Sequence, residues 1–138
     1  MLSTFDDRHH RWPAVSLNLF IEQRIGPIPL KSQVAYVDSA LDRVTMVSVA
    51  DSTPVITHSR IGRRALYATP SPDRHQLFVI TRGEEAIQKG MIDQDPMFWV
   101  VDTQGGAQPI AYKVGSPFDR VAVSPDGQVA IAYFSGAG

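Results

Sequence analysis

Cysteine is absent from this sequence. Disulfides, thiolate catalysis and Cys-based zinc sites are therefore excluded. Charge of one sign is also scarce. The net charge is -1, so electrostatics alone points to neither nucleic acid nor an anionic membrane. No apolar run approaches the roughly 20 residues of a membrane-spanning helix. The start, "MLSTFDDRHHRWP", places acids before its basic residues and has no apolar core segment. As it stands it does not read as a signal peptide, and the compartment is left unspecified. Helical periodicity is rare as well. The best stretch is "GEEAIQKGMI", Gly83 to Ile92, which predicts no more than one helical turn inside a loop. Fingerprints for a nucleophile elbow, a phosphate-binding glycine loop, a zinc-protease helix and a dinucleotide fold are all missing. No cofactor is expected.

What remains is a globular composition. The 138 residues are 43% hydrophobic and 20% charged, which suits one domain with a sizeable core. Strand signals are frequent. "VSLNLFIE", from Val15, alternates apolar and polar residues. It is followed by "SQVAYVDS", "RVTMVSVAD", "TPVITHSRI", "ALYATP", "QLFVITR", "MFWVVDT", "QPIAYKV", "RVAVS" and "QVAIAYFS". Turn residues separate them, including Ser71-Pro72-Asp73 and Ser124-Pro125-Asp126-Gly127. Short strands at regular spacing predict an all-β fold: a sandwich, a barrel or a propeller.

Internal repetition favours the last of these. Ser71-Pro72-Asp73 recurs 53 residues later as Ser124-Pro125-Asp126. Asp51 recurs as Asp102, and Ile61-Gly62 as Val114-Gly115. Four features therefore repeat in one order: a strand ending in Asp, a polar turn, a strand ending in apolar-Gly, and a strand–Ser-Pro-Asp–strand hairpin. This predicts β-propeller-type repeats of four-stranded antiparallel blades, incomplete in this chain. The expected layout is an N-terminal arm over 1–14 and a propeller-like segment over 15–138. Its repeat units cover about 33–82 and 98–135, with an insertion at 83–96 between the second and third strands of one blade. Val15–Glu22 is a candidate inner strand for the first blade.

Within the turn motif, Pro presets φ for the second turn position and Asp can bond the backbone two residues on. Gly127 then supplies a positive φ. In the first copy Arg74 occupies that slot, so a looser turn over Arg74-His75-Gln76 is expected there. The Asp of this motif reads as a turn residue, not a catalyst. Two blades alone would leave apolar sheet faces in water, which leaves three readings: completion by further chain, a ring of copies, or packing as a different, smaller β fold.

These residues resemble the YVTN-type β-propeller repeat, kin to other propellers with a Ser-Pro-Asp-Gly hairpin. The likeness covers about Gln33 to Ser135. It rests on Tyr36-Val37, Val47 to Asp51, Ile61-Gly62, Ser71-Pro72-Asp73 and Leu77-Phe78-Val79, and on their second copies up to Val129-Ala130-Ile131. Arg74 departs from the glycine the pattern favours, and Ala50 from a bulkier aliphatic. Residues 1–32 match nothing specific. The resemblance implies a non-catalytic binding or interaction scaffold with a protein partner. The alternative it implies is a fragment of a propeller enzyme, lactonase-like or quinone-cofactor dehydrogenase-like, with its site shared across further blades.

Candidate contacts lie first in the insertion, because loops on a rigid scaffold often carry function. They are Glu84, Glu85, Lys89, Asp93 and Asp95. Asp93-x-Asp95 offers oxygens to calcium, but the EF-hand continuation is absent, and an ordinary polar loop is the plainer reading. Arg63 and Arg64, before an expected inner strand, are candidates for an anion contact at a channel rim. Asp6 to His10 gathers carboxylates and imidazoles at poor metal spacing, and reads as a solvated tail. His58 and His75 read as separate structural residues, and Trp12 and Trp99 as packing residues.

Overall fold

The computed structural model describes residues 24–49, 52–84, 95–104, 107–116 and 118–136. Ten strands and no helix occur among them. The first sheet has the order β1(Arg24–Pro29), β2(Gln33–Asp38), β3(Arg43–Ser48), β4(Ile56–Arg60). The second has the order β5(Ala65–Pro70), β6(Gln76–Thr81), β7(Met97–Asp102), β8(Ile110–Lys113). The third is the hairpin β9(Arg120–Val123), β10(Ala130–Tyr133). All pairings are antiparallel. The protein is all-β, as expected.

Nine of the ten strands coincide with apolar runs of the sequence. The exception is β1, "RIGPIP", whose glycine and two prolines argue against a strand. It is tolerated because β1 is an edge strand paired only to β2, where a missing amide leaves no ladder partner unsatisfied. Its register also shifts between Ile25 and Ile28, across Gly26 and Pro27. The predicted strand Val15–Glu22 and the arm 1–14 lie outside the described residues. The partner of β2 is therefore β1. The helical turn expected at Gly83–Ile92 falls mostly outside them too.

The sheets stack through alternate side chains. Ala35, Val37, Val44 and Met46 of the first sheet meet Leu77, Val79 and Val101 of the second, with Ile28, Leu30 and Ile61. On the opposite face of the second sheet, Phe78 and Ile80 meet Val121 of the hairpin, with Phe98, Val100 and Ala132 packed alongside. The Phe78 and Phe98 rings lie tilted at 5.7 Å between centroids. Five successive residues of β6, Leu77 to Thr81, are buried. That is the pattern of a strand covered on both faces. β5 lies against both β1 and β9, so the first strands of the three sheets run together.

One glycine is fixed by packing between sheets. A Cβ on Gly62 would sit 3.0 Å from Thr81 Oγ1 and 3.3 Å from Trp99 Cζ2. Trp99 donates its Nε1 hydrogen to that same Thr81 oxygen at 2.9 Å. Trp99 is thus a packing residue of the first core with its polar edge satisfied.

Candidate functional site

The two Ser-Pro-Asp turns lie side by side at one rim of the stack. In the first, the Ser71 hydroxyl donates to Asp73 at 2.7 Å and accepts from the Gln76 amide at 3.1 Å. The His75 amide donates to Asp73 at 3.0 Å. In the second, Ser124 donates to Asp126 at 2.6 Å and accepts from the Val129 amide at 3.1 Å, and the Gln128 amide donates to Asp126 at 3.0 Å. The backbone closures match as well: Arg74 to Ser71 and Gly127 to Ser124, each at 2.9 Å. The two turns are bond-for-bond equivalents.

This corrects the expectation of a looser first turn. Arg74 adopts φ 62 and Gly127 φ 74, so the arginine takes the left-handed conformation the glycine would. That conformation costs a non-glycine residue about 1–2 kcal/mol. The surroundings supply compensation. The Arg74 guanidinium donates to the Pro29 carbonyl of the first sheet. Thr103 donates its hydroxyl to the Arg74 carbonyl at 2.8 Å and its amide to the His75 carbonyl at 3.0 Å.

A cleft of about 690 Å³ opens between the turns. Asp73, His75, Asp102, Gln104, Asp126 and Gln128 line it together with the turn prolines. Asp102 Oδ1 accepts the Gln104 amide at 3.0 Å. The His75 amide and the Ser71 hydroxyl hold the Asp73 carboxyl below the usual carboxylate range. The Ser124 hydroxyl and the Gln128 amide do the same for Asp126. Both are ionised acceptors already committed to turn donors, and so are weak bases. Among the described residues, no three His, Asp or Glu side chains gather as a metal site.

Of the predicted contact residues, Arg63, Arg64, Glu84 and Asp95 are described, and they lie at the strand ends remote from the Ser-Pro-Asp turns. Arg63 lies between Asp42 (3.8 Å) and Glu84 (3.6 Å), so two of the candidates meet each other. Burial raises the Asp42 pKa against the pull of Arg63. Arg64 is exposed with φ 61. Asp95 pairs instead with Lys113 of β8 at 3.1 Å. Glu85, Lys89 and Asp93 lie outside the described residues. His58 meets Thr45 at 3.0 Å on the first sheet, whereas His75 meets Asp73 at 3.7 Å in the turn. The two histidines share no partner.

A further cluster escaped the sequence reading. One cross-strand row of the first sheet reads Arg24, Asp38, Arg43, Arg60. Three guanidiniums share a row with one carboxylate, and Arg43 stands directly opposite Arg60, an unfavourable like-charge pairing. Arg43 Nε is buried with no hydrogen-bond partner. The signal was the spacing of these residues from their turns, readable only once the register is known.

Neither a scan against protein-family models nor a search of curated proteins finds a match to this chain. Among the described residues no helix is long and apolar enough to cross a membrane.

Proposed function

We propose that the chain forms a partial YVTN-like β-propeller, completed by further chain or by self-assembly, that serves as a non-catalytic interaction scaffold for a protein partner. The blades are the successive sheets, fanned about their first strands β1, β5 and β9. The bond-for-bond repetition of the Ser-Pro-Asp turn on successive sheets supports the propeller reading.

The observation that carries the non-catalytic part is the condition of the cleft carboxylates. Acid–base sites commonly hold titratable groups whose environments push their pKa values apart. Asp73 and Asp126 are instead pushed the same way, downward, by equivalent turn bonds. Their chemistry is spent on shape. The test is a turnover screen of the purified chain on lactones and activated esters, alongside Asp73→Asn, Asp102→Asn and Asp126→Asn. A scaffold gives the solution rate in every case, with changes confined to melting temperature. A rate above solution that falls on any one substitution would replace the scaffold with a hydrolase.

A further inference from the structure

The second sheet has neighbours on both faces. What the fold leaves open on it are its strand ends. At the ends remote from the Ser-Pro-Asp turns, the chain enters β5 through Arg63-Arg64 and leaves β6 through Arg82. The Arg82 amide donates to the Arg64 carbonyl at 2.9 Å, and the Gly83 amide to the Arg63 carbonyl at 3.0 Å. Arg64 and Arg82 are thus held as cross-strand neighbours, one step beyond the Ala65 and Thr81 pair. Both are exposed. Like charges placed opposite each other are unfavourable.

The charges around them do not relieve this. Arg63 takes both Asp42 and Glu84. At the same strand ends Asp38 pairs with Arg24, Asp95 with Lys113 and Asp119 with Arg120. Among the described residues Arg64 and Arg82 have no ion pair and no side-chain hydrogen bond. The following residues 85–94 carry Glu85 and Asp93 against Lys89, a net charge too small to neutralise two guanidiniums. Arg64 is also strained. Its φ is 61, in the left-handed region that disfavours a residue with a Cβ. Arg74 shares that conformation, but its guanidinium is tied to Pro29 and its carbonyl to Thr103. The Arg64 guanidinium has no such tie among the described residues, and a glycine would suit the backbone better. Uncompensated strain and an unneutralised like-charge pair coincide here, and such coincidences cluster at ligand sites.

We propose that Arg64 and Arg82 form a carboxylate-binding pair that docks an acidic peptide segment of a protein partner. Each guanidinium can grip one carboxylate through two parallel N–H···O bonds. Leu66, exposed two residues after Arg64, offers the segment an apolar contact. Asp42 and Glu84, gathered on the adjacent Arg63, confine the unbalanced positive charge to these two side chains. That suits a short acidic segment better than a nucleic-acid backbone, which needs a run of cations. The inference rests on the scaffold reading and names the chemistry of its partner.

The test is fluorescence anisotropy of a labelled hexaglutamate peptide titrated with the whole chain at low ionic strength. It is run on the wild type, Arg64→Gly, Arg82→Gln, the double variant and Lys31→Gln. The wild type should bind saturably, each of the two single arginine variants should weaken binding about tenfold, and the double variant should abolish it. Added salt should weaken binding. Lys31→Gln, near Asp73 at the other rim, should leave it unchanged. Arg64→Gly should at the same time keep or raise the melting temperature, because it relieves the backbone. If Arg82→Gln alters the circular dichroism spectrum, Arg82→Lys, which keeps the charge but loses the fork, takes its place. The inference is overturned by a wild type that does not bind, by equal binding to the double variant, or by Arg64→Gly losing stability while binding is unchanged. It is overturned too by a poly-dT oligonucleotide that binds through the same two arginines more tightly than the peptide. None of these outcomes involves turnover, so the scaffold reading stands or falls on its own test.

Discussion

Ser71 and Ser124 make the same bonds in the same turn, yet Ser71 is buried and Ser124 is only half-buried. The difference lies outside the turn. The first turn is clamped by Thr103 from the β7–β8 connection and tied to Pro29 of the first sheet. Among the described residues nothing equivalent holds the second. The strands behind the turns repeat the contrast: β6 is covered on both faces, whereas β10 is paired on one edge and covered on one face. Local turn chemistry and tertiary support are therefore separable here, and the same motif reports on each.

The largest expected effect lies in the strands. Ile80→Ala, fully buried between the second sheet and the hairpin, should destabilise by about 2–5 kcal/mol. Ile131→Ala, exposed on the corresponding face of the hairpin, should change stability by less than about 0.5 kcal/mol in dilute solution. Urea unfolding measures both, and equal losses would break the comparison.

Next come the clamps. Ser71→Ala removes a buried donor and acceptor, and should cost about 1–3 kcal/mol, against about 0.5–1.5 for Ser124→Ala. Thr103→Val should cost about 1 kcal/mol by leaving the Arg74 carbonyl short of a donor. The shift in urea midpoint decides each.

The strands themselves were largely legible in the sequence, because alternating apolar runs bounded by Pro, Gly and Asp leave little choice. β1 was not, since Gly26, Pro27 and Pro29 mask a strand that survives only as a bulged edge. The turn at Arg74 was legible as a turn but not in its tightness. Its strain is offset by bonds to Pro29 and Thr103, residues 45 and 29 positions away in sequence. The pairing of Arg63 with Glu84 was within reach, because both were marked as candidate contacts, one at a strand entrance and one in the insertion. The gathering of Asp73, Asp102 and Asp126 at one cleft was not. It depends on how successive sheets stack, and no single motif encodes that. The Arg24–Asp38–Arg43–Arg60 row was hidden for the same reason, being a matter of strand register.

Acid should sharpen the comparison further. The folded-state pKa values of Asp73 and Asp126 are lowered. Their contribution is thus present above the unfolded carboxyl range and is lost as pH falls through the lower folded values. Asp42, with a raised pKa, acts in the opposite sense, favouring the fold below the ordinary carboxyl range and losing that as pH rises through its folded value. Urea midpoints from pH 5 down to pH 2 should therefore fall, and Asp126→Asn should flatten part of the slope. An unchanged slope would mean that the turn bonds do not form in solution.

The smallest expected effect is at the slot where the turns differ. Arg74→Gly relieves left-handed strain but removes the tie to Pro29, so the net change should lie within about 0.5 kcal/mol. Gly127→Ala gains strain without any tie, and should cost about 1 kcal/mol. A gain at Gly127→Ala in the unfolding midpoint would mean that the second turn is not left-handed at that residue.

Apart from Arg74 against Gly127, the two equivalent hairpins differ chiefly in what covers them. Native-state amide hydrogen exchange in dilute solution tests it directly. Leu77 to Thr81 of β6 should exchange only on global unfolding, while Ala130 to Tyr133 of β10 should exchange through local opening, orders of magnitude faster. Equal protection of the two strands in the dilute single chain would contradict it.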